Sequence, residues 1–207
     1  LLLSVVDIFL NMAITAENAK AAANKALSMG KDAFNHAKEE GFFNPSNLAQ
    51  FHVDLFRPLK ETERPSLTWL KDEALNTIQC KPSDPATGFV LWNDVAFLLV
   101  VLTAIVTWIF QQNVFAALLT FVLGYLFAYT FWWCMFAPRT TKSIRQCSLF
   151  ILGLYVMYNL FAGIFGIINV FNIFGTILRF TTAFVLALML INGSKLFWST
   201  DTQLLPR

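Results

Sequence analysis

The sequence predicts an all-α membrane protein in which four transmembrane helices form two antiparallel hairpins, preceded by a long Ala-rich helix and a proline-broken arm. Composition is the first reason: 57% of the 207 residues are apolar and only 14% are charged, against about 25% charge in ordinary soluble domains. Mean hydropathy is +0.58. The second reason is four uninterrupted apolar stretches, at 89–110, 114–136, 148–168 and 176–197. Each meets the length of about 20 residues that a helix rising 1.5 Å per residue needs to cross a hydrocarbon core of roughly 30 Å. The third is the brevity of the segments 111–113 and 169–175, which forces the helices on either side to reverse direction.

Residues 1–41 form the first predicted element. The apolar stretch 1–10 carries Asp7 and lacks a basic leader and a small-residue cleavage pattern, so it does not read as an intact signal peptide. A cleaved targeting sequence would account for an opening at Leu1. From Phe9 and Met12, the positions Ala16, Ala19, Ala23, Ala26, Gly30, Ala33 and Ala37 follow at spacings of three and four, which is a heptad seam. A seam of Ala buries little area but admits a close backbone, so these residues are expected to dock a partner. Two other readings compete: Ala recurs simply as the best helix former, or Leu27, Met29 and Phe34 dip into a bilayer surface beside the lysines. Gly41 supplies the stop.

Residues 42–88 are broken by Pro45, Pro58, Pro65, Pro82 and Pro85 and leave room for short helices only. The best runs over 66–79, with Ser66 as N-cap and Trp69, Leu70, Ala74, Leu75 and Ile78 as its apolar stripe. So small an apolar content cannot bury a core alone, and the arm is expected to be held by other proteins or by the membrane surface.

Residues 89–198 hold the four spans, and 199–207 form a tail. Residues 1–88 carry 9 Lys/Arg and 11 Asp/Glu, whereas residues 89–207 carry 6 and 2. Neither hairpin tip is charged, while Arg139, Lys142 and Arg145 fill the central loop and Lys195 and Arg207 follow the last span. The positive-inside rule therefore sets the N-terminus, central loop and C-terminus on one matrix-like or cytosol-like side. Trp92, Trp132, Trp133 and Trp198 are expected as interface anchors on that side and Trp108 near the first tip. Arg179, a turn inside the fourth span, is expected to snorkel. In the third span Ala162 and Gly166 make a small-xxx-small step for helix packing, with Asn159 placed to bond across it.

Reactive chemistry is sparse. The spans contain only Asp94 and Arg179 as ionisable side chains, and both histidines, His36 and His52, lie in the arm, so no haem pair or di-metal carboxylate site is expected in the bilayer. Asp94 reads as first-turn electrostatic trim at the interface. Asn192-Gly-Ser matches a glycosylation acceptor but falls on the basic side. The three cysteines, Cys80, Cys134 and Cys147, have no metal-ligand spacing; the last two bracket one loop and suit acylation, a bridge or simple packing. No basic, aromatic-interleaved surface for nucleic acid is present.

The sequence thus implies a non-enzymatic accessory or structural subunit of a multi-subunit membrane complex, with the mitochondrial inner membrane favoured, other membrane subunits and lipids as partners, and no cofactor beyond structural lipid. The double-hairpin layout also resembles that of the prenylated-Rab-acceptor and reticulon families, and Leu91-Trp92-Asn93-Asp94-Val95 is similar to the start of a reticulon hairpin. That resemblance implies a membrane-shaping or trafficking role in endomembranes. The linker 137–146 departs from the long reticulon linker.

Overall fold

The computed structural model describes residues 41–63, 65–79, 84–138, 140–167 and 173–198, together with Lys20, Asn24, Ser28, Asn35 and 37–39. These described residues form helices and connections, without strands. The chain divides into two units, Leu1–Asn44 and Pro45–Arg207. In the first unit, helix ends before Gly41, whose φ is 86°. Gly41 N donates to Lys38 O at 3.2 Å and Phe42 N to Ala37 O at 2.8 Å. These are the two bonds of a Schellman cap, which places a left-handed residue just past the helix and favours glycine there. Of the Ala seam only Ala37 is described, and it is half-buried. Ala16, Ala19, Ala23, Ala26, Gly30 and Ala33 lie outside the described residues, as do Arg139 and the tail 199–207.

The second unit opens with three short helices, α1 (Pro45–Asp54), α2 (Arg57–Glu61) and α3 (Leu67–Ile78). Proline sets their boundaries: Pro45 starts α1 and Pro58 lies at the second position of α2, where a missing N–H costs nothing. Ser66 caps α3, its Oγ accepting from Trp69 N at 3.2 Å. The stripe of α3 differs from the expected one. Ala74 and Thr77 are buried, whereas Leu67, Leu75 and Ile78 are exposed, because the face that finds a neighbour is centred on the smaller residues.

Four long helices follow: α4 (Pro85–Gln111), α5 (Val114–Phe136), α6 (Lys142–Ile167) and α7 (Ile173–Trp198). All four are long and apolar enough to cross a membrane. Helix α4 begins four residues before its apolar run, because Asp84 caps it. One carboxylate oxygen accepts from Ala86 N at 2.9 Å and the other from Thr87 Oγ1 at 2.6 Å, with Pro85 preset for the first turn. Asn113 caps α5 by accepting from Ala116 N at 3.0 Å.

Helices α6 and α7 pack most extensively, α4 packs on both α5 and α7, and α5 touches α6 only sparingly. Along α4 and α5 the neighbours include Phe89 with Phe136, Asn93 with Ala128 and Val100 with Gly124. Along α6 and α7 they include Leu149 with Gly193, Gly153 with Leu190, Gly163 with Phe180 and Gly166 with Thr176.

Burial is uneven along these helices. Residues 89–94 of α4, 131–137 at the end of α5, and Leu186, Leu188, Met189 and Leu196 of α7 are buried. Past Phe97 and before Tyr125, large apolar side chains such as Leu102, Ile109, Phe115 and Leu119 are exposed. The arm explains the difference: α1 packs on α5, α2 on α4 and α3 on α7. It is therefore held by the chain's own long helices, a support that the expectation of other proteins or the membrane surface did not include. Its few large apolar residues suffice because the long helices provide the other wall.

Candidate functional site

The joint between arm and long helices gathers most of the buried polar groups of this unit. At its centre, Asp54 ends α1 and Asp94 lies in the third turn of α4; each is 1% exposed. Asp54 Oδ1 accepts from Arg57 Nη1 at 3.2 Å and Gln50 Nε2 at 3.3 Å, and its Oδ2 accepts from Trp132 Nε1 at 3.0 Å. Asp94 Oδ2 accepts from the backbone N of Phe56 at 2.9 Å. A buried carboxylate is tolerated only with such partners; here the arm supplies the partner of Asp94, while Asp54 takes two from the arm and one from α5.

Phe56, in the two-residue turn between α1 and α2, has φ 61°. A bulky side chain in the left-handed region is strained, at a cost on the order of 1–3 kcal/mol. That conformation aims the Phe56 N–H at Asp94, so the bond fixes a turn the sequence would not otherwise favour. One residue pair away, Phe51 is a wedge: its ring centroid lies 5.3 Å from that of Tyr129 and 5.7 Å from those of Tyr125 and Trp132. His52 Nε2 and the Tyr125 hydroxyl are 3.0 Å apart. The expected first-turn place of Asp94 is corrected: because α4 starts at Pro85, the residue lies in the third turn of the helix and beneath the arm.

A second joint holds α3. Asn192 of α7 is 0% exposed, and its Nδ2 donates to Thr77 Oγ1 at 3.3 Å and Leu188 O at 3.0 Å. Its Oδ1 crowds Gly88 of α4, where any Cβ would collide with it. Burial removes Asn192 from reach of a glycosylating enzyme. A third polar contact ties the long helices together, Asn93 Nδ2 donating to Ala128 O at 3.0 Å. We expect Asn192→Leu, which fills similar volume but leaves Thr77 unmatched, to cost about 1–3 kcal/mol. Hydrogen exchange should quicken over 67–78 and stay unchanged over 45–54; equal protection in α3 would show that the joint contributes nothing.

Cavities also open among the described residues. One of about 200 Å³ lies between the arm and the start of α4, with Glu61, Glu73 and Asp84 among its lining residues. Asp84 is already engaged in capping, and among the described residues no three His, Cys, Asp or Glu side chains form a metal-ligand group. Another, of about 380 Å³, opens where α5 and α6 part and is lined by Phe97, Val100, Gly124, Phe127, Tyr155 and Leu186 among others. The Thr120 and Thr182 hydroxyls on its wall donate to carbonyls of their own helices, at 2.8 Å each. It is an apolar crevice, the kind of volume that takes a small apolar group or chain.

Several expected site residues stand elsewhere. Trp92, Trp132 and Trp133 are 3–4% exposed and pack inside the protein, which corrects their reading as interface anchors; the arm covers Trp132 through Phe51 and Asp54. Trp108 and Trp198 are exposed, at 56% and 74%. Asn159 donates to Tyr155 O of its own helix at 2.9 Å rather than across a helix contact. Gly166 faces Thr176, and Gly163, next to the half-buried Ala162, faces Phe180, both on α7. Arg179 lies 6.0 Å from the Tyr158 ring and Lys142 5.5 Å from that of Phe197, both within cation–π range. Arg145 Nη2 reaches Thr140 Oγ1 at 3.5 Å. Cys134 is buried and Cys147 exposed, both as free thiols.

Sequence reasoning missed Asp54, Phe56 and Thr77 entirely, since each acts on a residue 38 to 115 positions away. In comparisons with known proteins, no family model, no curated sequence and no solved structure matches this chain.

Proposed function

We propose that this protein is a non-enzymatic structural subunit of a multi-subunit membrane complex, set in a bioenergetic membrane such as the mitochondrial inner membrane. The observation that carries this reading is the use made of the buried polar groups. Asp54, Asp94, Asn93 and Asn192 each join one helix to another or to its own turn, and the crevice between the long helices is lined by satisfied hydroxyls and apolar side chains. A catalyst or carrier in a membrane keeps ionisable groups facing a cavity or pathway; here they serve as fastenings.

In this proposal α4–α5 and α6–α7 cross the bilayer as antiparallel hairpins. Their paired neighbours, 89 with 136 and 100 with 124, then 149 with 193 and 166 with 176, support it. Lys142, Arg145 and Lys195 favour the matrix or cytosol for the loop 137–146 and both termini. The Ala seam of residues 16–37 docks a partner subunit, and lipid chains fill the crevice without any cofactor. The test is a native gel in mild detergent: the chain should run in a particle far heavier than its own 23.4 kDa, and a monodisperse monomer or dimer would refute the subunit reading.

One observation favours a second reading, a double-hairpin protein that bends endomembranes. The arm is fastened to one end of the long helices only, through residues 88–97, 125–132 and 192, which makes the molecule wider in one leaflet. Reconstitution separates the two. Liposomes carrying this protein alone should remain spherical if it is a brace, and tubulate if it is a wedge.

A further inference from the structure

We propose that the arm brings water and lipid headgroups down to about the middle of the bundle on its α4–α5 flank, so that the bilayer meets this protein at two heights and is thinned on one side. The proposal rests on the reading that the four long helices cross a membrane, and it adds where the membrane surface lies.

The crevice supplies a common level, since Phe97, Gly124, Tyr155 and Thr182, one from each long helix, line it together. At that level the arm presses on α4 and α5. Phe56 stacks 6.2 Å from Phe97, Phe51 lies 5.7 Å from Tyr125, and His52 pairs with the Tyr125 hydroxyl. The outward side of α1 is mixed, with Ser46, Ala49, Gln50 and His52 exposed beside Leu48 and Val53, and α2 carries the Arg57–Glu61 pair at 3.8 Å. Across the bundle at the same level, α6 exposes Ile151, Leu154 and Tyr158. On that helix no charge appears until Arg145 and Lys142.

The lengths differ accordingly. From Arg145 to Ile167, α6 offers about 33 Å of helix, enough for a hydrocarbon core of roughly 30 Å. From Val114 to Tyr125, α5 offers about 17 Å above the arm, and α4 from Phe97 to Gln111 about 21 Å. A flat bilayer that fits α6 would immerse Gln50 and His52, the latter beside Tyr125, in hydrocarbon, where polar groups are heavily penalised. Thinning the leaflet on that flank is the milder accommodation of a short apolar face.

Collision measurements on nitroxide labels in phosphatidylcholine liposomes test this, with Cys80→Ser and Cys147→Ser removing background labelling. The variants are His52→Cys and Ala49→Cys on α1 and Leu154→Cys on α6; Ala49 makes no side-chain bond, so its label reads the site even if the His52 pair matters for folding. A label at Leu154 should collide preferentially with oxygen, which concentrates in lipid, and labels at 49 and 52 preferentially with a water-soluble nickel chelate, inverting the ratio at one level of the bundle. Oxygen preference at all three sites means a flat bilayer and overturns the proposal. Shielding of 49 and 52 from both reagents means that a protein segment covers α1, and overturns it too. Nickel access at Leu154 would sink the membrane-spanning reading itself, an outcome distinct from the other two.

Discussion

Asp54→Ala is expected to release the arm from the long helices and to destabilise the protein by about 3 kcal/mol or more, the range seen when one partner of a buried charged network is removed. The carboxylate is 1% exposed and serves three donors at once, Arg57, Gln50 and Trp132. Deleting it leaves the Trp132 N–H facing a void and the Arg57 guanidinium, whose side chain is 18% exposed, without its nearest anion. A loss of this size should lower Tm by roughly 5–10 °C for a chain of this length. Asp54→Asn keeps an oxygen for Trp132 and should cost less, about 1–2 kcal/mol. The sharper measurement is a cycle with Trp132→Phe: if the indole–carboxylate bond is real, the two changes together cost clearly less than their sum. Additive costs would show that the arm is held by Phe51 packing alone. Proteolysis should report the same event, with cleavage between 42 and 66 accelerating in Asp54→Ala while the long helices stay protected.

That joint also marks the limit of what the sequence discloses. The four long helices are readable from composition and length, because an apolar run of 20 residues has few alternatives. Local caps are readable too: Ser66 and Asn113 both precede apolar runs and both accept a helix N–H. Asp84 was overlooked as the start of α4, and the error propagated. With the helix beginning four residues earlier than its apolar run, Trp92 and Asp94 lie in its third turn rather than its first. The burial of Asp94 and Trp132 depends on the arm folding back across 38 and 78 residues. Hydropathy is blind to that, since an aromatic residue at a helix end has the same local pattern whether it anchors in lipid or sits beneath another helix.

The arm in turn changes what the aromatic residues do. Phe51 against Tyr125, Tyr129 and Trp132, and Phe89 against Phe136, form an internal aromatic layer where the arm meets α4 and α5. Offset and edge-on ring pairs add roughly 0.5–1.5 kcal/mol each beyond area burial, so the layer stiffens one end of the bundle. At the edge of this layer, beside Phe97 and Gly124, α5 and α6 part to open the crevice.

Contact between α4 and α5 beside the crevice depends on a single missing side chain. Any Cβ at Gly124 would run into Val100, both its Cβ and its Cγ1. Val100 cannot swing aside easily, because a β-branched residue in a helix has one strongly preferred χ1. Gly124→Ala should therefore cost about 1–3 kcal/mol through overpacking, even though alanine is the better helix former by about 1 kcal/mol. Gly124→Leu should go further and separate the two helices. The decisive experiment is the rescue: Gly124→Ala with Val100→Ala moves the extra bulk from one wall to the other, so thermal stability in detergent should return to the starting value or exceed it. Equal stability of the single Gly124→Ala variant and the parent chain would mean that the helices do not approach as closely as 100 and 124 require, and the hairpin pairing of α4 with α5 would fall with it.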